Sequence, residues 1–130
     1  MARAYTIASS ALALGTTSQW LDNTLSHYKV AGVIQHKQGV ARRLTIDGLL
    51  TLAVILVLVG EVGITVARAV GVAENLVAAD GRYTSPNGIK IEIDLRHIRT
   101  RLLERLEHAV EVAPLPRRGR PPKNTTGRLE

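Results

Sequence analysis

The sequence predicts a mainly α-helical fold with a small β component, and three observations carry that prediction. Apolar residues recur at helical spacing, most clearly at Leu95, Ile98, Leu102, Leu106, Ala109 and Val110. Strict alternation occurs in one place, where Ile89, Ile91 and Ile93 interleave with Lys90, Glu92 and Asp94 as in a half-buried strand. The chain has no phenylalanine, one tryptophan and three tyrosines, so its core must be built from Leu, Val, Ile and Ala. Side chains of that kind suit closely packed helices.

Tyr5-Thr6-Ile7 reads as an extended entry into a helix capped by Thr6, which runs over 7–14 and ends at Gly15. Thr17 or Ser18 caps a second helix, about 18–28, with Leu21 and Leu25 on its inward face. Two short helices joined by about three residues around a glycine form a helix-turn-helix pattern. Beyond Tyr28, the β-branched Val30, Val33 and Ile34 and the glycines at 32 and 39 fit two short strands around a His36-Lys37-Gln38-Gly39 tip. Thr45 then caps a long apolar helix, about 46–60, broken by Gly60 and Gly63, and Thr65 caps a fourth helix, about 66–78.

Pro86-Asn87-Gly88 is a turn signal between a short segment, Arg82 to Ser85, and the alternating strand 89–93. An amphipathic helix over 95–112 follows, and Pro114 and Pro116 close the folded part. Residues 114–130 lack periodicity and read as a basic tail that is disordered before binding. The organisation is therefore a first block over 1–80, a β-hairpin and helix over 81–113, and the tail.

Composition narrows the function classes. Lys and Arg number 17 against 11 Asp and Glu, a net charge of +6, and only Asp22 and Asp47 are acidic within residues 1–60. That excess permits nucleic acid or an anionic membrane as partner. The uncharged run 48–60 is too short to span a bilayer and reads as a buried core or dimer helix. The first twenty residues lack the firm apolar run of a secretory signal, so a cytoplasmic, nucleoid-associated protein is expected. With no cysteine, neither a disulfide framework nor a thiolate site is available. His27, His36, His97 and His108 are scattered, Ser9-Ser10 has no evident base, and no glycine-rich phosphate loop occurs. No catalytic centre, metal or cofactor is expected.

The order of elements over the first eighty residues resembles the MerR-type winged helix-turn-helix. The matching signposts are Tyr5-Thr6-Ile7, Gly15, Leu21, Gly32-Val33, Arg42-Arg43-Leu44, Thr45, Leu49 and Gly63-Ile64-Thr65. The resemblance implies a dimeric transcription regulator whose second helix enters the major groove while the β-hairpin, the wing, lies along the DNA backbone. This chain departs from the family in its Asp22-Asn23-Thr24, where an arginine and paired aromatics are usual, and in the nearly wholly apolar 49–59. It also lacks the usual effector-binding domain, which brings it nearest to excisionases, sensorless regulators and antitoxins.

On that frame, the second helix exposes Gln19, Asn23, Ser26 and His27. The amides of Gln19 and Asn23 suit adenine, while His27 and Lys29 reach phosphates; ordinary surface polarity is the alternative for each. Asp22 reads as a cap or surface salt link before a contact to cytosine, and Trp20 as core before wing packing. Lys37, Arg42 and Arg43 put three positive charges on a short hairpin, a pattern suited to clamping phosphates. The tail segment containing Arg117, Arg118, Gly119, Arg120, Pro121 and Lys123 looks like an AT-hook, whose extended backbone and arginines suit a narrow A·T-rich minor groove. General phosphate attraction or solubility is the alternative there.

Double-stranded DNA and a second copy of the chain are thus the expected partners, with residues 82–112 as the dimer element or a site for another protein. Strand 89–93 pairing across a two-fold axis would cover its own edge. The competing readings are a sequence-specific regulator, an architectural nucleoid protein, and an antitoxin that binds a toxin and autoregulates. Removing residues 114–130 is expected to weaken binding to duplex DNA and to reduce preference for A·T-rich sequence, measured by fluorescence anisotropy on A·T-rich and mixed duplexes. Unchanged affinity would leave the tail a solubility device.

Overall fold

Threonine hydroxyls set most of the helix starts. In the computed structural model, which describes residues 3–35 and 41–113, Thr6, Thr17, Thr45 and Thr65 each hold extended backbone angles and cap a helix. Each Oγ accepts from the N–H three residues on, at 3.0–3.3 Å. Such a cap satisfies an otherwise orphan donor and contributes roughly 0.5–2 kcal/mol. Asp94 does the same for the last helix through His97 N, at 3.0 Å.

The elements follow in the order β1 (Ala4–Tyr5), α1 (Ile7–Leu14), α2 (Ser18–His27), β2 (Val33–Ile34), β3 (Arg43–Thr45), α3 (Ile46–Val57), a π turn (Leu58–Val62), α4 (Val66–Ala78), β4 (Arg82–Thr84), β5 (Lys90–Glu92) and α5 (Leu95–Val112). Two small antiparallel sheets result. In one, β3 lies between β1 and β2, pairing Tyr5 and Val33 with Leu44. In the other, Tyr83 pairs with Ile91. The fold is mainly α with two small sheets, as the sequence predicts. The pairing of β1 with β3 is new, and it turns the expected extended entry into a strand.

One boundary and one buried position differ from expectation. The long apolar helix stops being α-helical at Val57 and widens into the π turn, with Gly63 N–H donating to Leu58 O at 3.0 Å. On the second helix, Leu21 is fully buried, but the next buried side chain is Thr24 rather than Leu25, which is half-buried. Trp20 packs half-buried against the core.

A single cluster of buried side chains joins all parts. Leu49, Leu50, Leu52, Val54 and Ile55 of α3 are fully buried at its centre, with Leu21, Leu44, Leu76 and Leu106 arriving from other elements. Each such side chain stabilises the fold by about 1.5–3 kcal/mol. The apolar run 48–60 is thus the core helix, and among the described residues no helix is long and apolar enough to cross a membrane. Helix α5 lies against α1 and α3, burying Leu95, Leu102, Leu106 and Ala109. Its main apolar stripe is therefore covered within the chain.

Where β2 begins, the backbone comes unusually near the start of α3. Gly32 has φ +89°, and a Cβ there would lie 2.5 Å from Gly48 N and 2.6 Å from Thr45 Oγ1. Gly32 O accepts from both Thr45 N (2.9 Å) and Thr45 Oγ1 (3.0 Å). Conversely, a Cβ on Gly48 would lie 2.8 Å from Gly32 O. Gly48→Ala tests this contact with an unusual sign. Helix propensity alone would stabilise by about 1 kcal/mol, whereas the crowding should destabilise by about 1–3 kcal/mol. A lowered Tm by calorimetry is expected, and a raised one would refute the close approach.

Candidate nucleic-acid interface

The turn between α1 and α2 is short because Gly15 ends α1 in the left-handed conformation, with φ +72°. Its N–H donates to Leu12 O and that of Thr16 to Ala11 O, so the last carbonyls of α1 are satisfied as the chain reverses. Thr17 then starts α2. Burial of Leu21 and Thr24 fixes which side of α2 faces the core, and everything opposite faces solvent.

That outer side carries the residues expected from the sequence. Gln19, Asn23, Ser26 and His27 are all exposed, and their spacing of four, three and one places them along one stripe. His27 Nδ1 lies 2.8 Å from Asn23 O, which holds the ring against the last turn of the helix. Among the described residues, the side-chain amides of Gln19 and Asn23 make no hydrogen bond within the protein. They point chemistry outward that the fold does not use.

Arg42, expected from the sequence as a phosphate clamp, makes its contacts here within the chain. Its Nη1 lies 3.4 Å from Asp22 Oδ1 and its Nη2 donates to Ser26 Oγ at 3.3 Å. Ser26 Oγ in turn donates to Asp22 O at 2.8 Å. The Arg42 side chain is 22% exposed against 53% for Asp22. It thus ties the approach to β3 onto the outer side of α2, across 20 residues of sequence. Asp22 is the salt link that its sequence context suggested, but the partner was not legible there. Two residues four apart on a helix gave no sign of which distant arginine would reach both.

Arg43 follows in β3, half-buried beside the fully buried Leu44. Among the described residues it has no ion pair. Strand alternation sends it to the opposite side of the sheet from Leu44. The structure therefore separates two arginines that the sequence treated as a pair: one bridges to α2, the other has no charged partner among the described residues. Lys37 lies outside the described residues, as do Arg117, Arg118, Gly119, Arg120, Pro121 and Lys123.

Neither family models nor comparisons with characterised proteins and with solved structures give a match for this chain.

The bridge should register as a measurable coupling. Because both groups are partly solvated, Asp22→Asn and Arg42→Gln are each expected to cost little, with a double-mutant coupling of about 0.2–1 kcal/mol in urea unfolding. Strict additivity would mean that the two side chains do not hold each other.

Proposed function

We propose that residues 1–80 act as a winged helix-turn-helix reading head that binds double-stranded DNA in a sequence-dependent manner, and that the protein regulates transcription as a homodimer. The observation that carries this reading is the outer side of α2. It presents exposed amides at Gln19 and Asn23, unbonded among the described residues, on a short, well-anchored helix, and Arg42 fastens that same side to the hairpin strand.

In this reading α2 enters the major groove. An Asn or Gln amide matches the paired acceptor and donor on adenine, worth about 1–3 kcal/mol of discrimination for a good bidentate contact. Arg43, with Lys37 at the expected wing tip, contacts phosphates. Arg42 is a positioning residue, setting the angle between reading helix and wing. The AT-hook-like segment from Arg117 to Lys123 follows the minor groove.

A homodimer is proposed because one short helix covers only a half-site, and two-fold symmetry doubles the contacts on an inverted repeat. The large exposed apolar side chains outside the reading head support the hairpin and α5 as the joining surface: Ile89 is 63% exposed, Leu103 43%, Val110 41% and Val112 54%. A monomeric mass by analytical ultracentrifugation at micromolar concentration would remove the dimer from the proposal.

Selection of bound fragments from random DNA tests the reading directly, and a spaced inverted motif is expected. An A·T bias alone would instead favour an architectural role. On the selected site, Asn23→Ala should reduce discrimination against single-base variants by about tenfold or more, with little loss on non-specific DNA. Arg43→Gln should weaken all DNA about equally and reduce the slope of log affinity against log salt by about 1. The reverse pattern would exchange their assigned roles.

A further inference from the structure

A groove of about 530 Å³ opens between the end of α1, the second half of α3 with its π turn, and the first half of α5. Its walls are apolar, formed chiefly by Leu14, Ala53, Leu56, Val57, Ile98 and Leu102. One edge is a row of cationic and polar side chains, His97, Arg101 and Arg105, which recur every four residues along α5. That spacing puts them one above another on a single side of the helix. The volume lies within the range of about 300–1,000 Å³ typical of small-molecule sites, and apolar walls with a few convergent polar groups are their usual make-up.

Charge is distributed unevenly along the groove. Asp94 sits where α5 begins, and its Oδ1 accepts from His97 N at 3.0 Å, so that carboxylate caps the helix. Arg101 and Arg105 lie further along the axis, about 10 and 16 Å from Asp94 at 1.5 Å per residue. The position of the Arg105 guanidinium is marked by Gly15, where an added Cβ would lie 3.5 Å from Nη1. Among the described residues, neither arginine has an ion-pair partner. Glu61, brought to the wall by the π turn, is likewise unpaired and makes a multiply charged anion a poor fit.

We propose that this groove binds a small amphiphilic carboxylate, with the apolar body against α3 and the carboxylate received by Arg101 and Arg105. The ligand would sit against Leu14, next to the Gly15 turn that leads into α2. The site does not depend on the DNA-binding reading.

Decanoate, below its micellar concentration, is the probe, titrated calorimetrically into the full-length protein without DNA. Saturable one-to-one binding is expected, with decanol at least about tenfold weaker, since a charge-assisted contact contributes enough for that ratio. Arg101→Gln with Arg105→Gln, both at exposed positions, should weaken decanoate by about tenfold or more while leaving the Tm unchanged. Ala53→Trp keeps both arginines and fills the groove, and it should also abolish binding. The proposal is overturned if decanol binds as tightly, if the double arginine variant binds as wild type, or if a folded Ala53→Trp protein still binds. It is equally overturned if sedimentation detects binding to phosphatidylglycerol vesicles but free decanoate gives no heat. Because no DNA is present, failure here and failure of DNA recognition are read separately.

Discussion

Gly32 and Gly48 approach each other where the first sheet meets the core helix, and neither position has room for a side chain. The contact is reinforced from a third residue, since Thr45 both donates twice to Gly32 O and caps α3 through Gly48 N. Three elements are thus fixed relative to one another within a few ångströms. Strand β3 is the middle strand of its sheet, so holding it also holds β1 and β2. The direction in which α3 leaves then determines where Leu49 to Ile55 meet the other helices. Because interiors are close-packed, even one methylene at such a crossing has to be absorbed by moving whole elements.

The outer parts of the molecule depend on that junction in turn. Arg42 stands just before β3, and its reach to Asp22 and Ser26 works only while the sheet keeps its place beside α2. An exposed ion pair of this kind contributes little stability. Its effect is geometric: it links the outer side of α2 to the approach to β3. Stability comes instead from the leucine core, to which α5 adds Leu102 and Leu106. Helix α5 is therefore part of the same core as α1 and α3, while the hairpin and the outer side of α5 retain exposed apolar side chains.

Much of this was legible in the sequence because the signals were local. Threonine before an apolar run, glycine after one and alternation over Ile89 to Ile93 each act within a few residues, and the helices and strands sit close to where those signals place them. What the sequence withheld was long-range. Gly32 and Gly48 are sixteen residues apart in the chain, and nothing local to either marks their close approach. The π turn had no local marker beyond Gly60 and Gly63. Of the candidate interface, the exposed stripe on α2 was visible from periodicity, whereas the different fates of Arg42 and Arg43 depended on tertiary neighbours. Periodicity showed that α5 had an apolar stripe, but not that α1 and α3 would cover it.

The contact between His27 and Asn23 O has a chemical corollary. A carbonyl oxygen can only accept, so Nδ1 must carry the hydrogen in that bond. The tautomer of the neutral ring is thereby fixed, and its remaining nitrogen, Nε2, presents a lone pair. The outer end of α2 thus presents an acceptor on an exposed ring that its own backbone holds in place, one turn beyond the amide of Asn23.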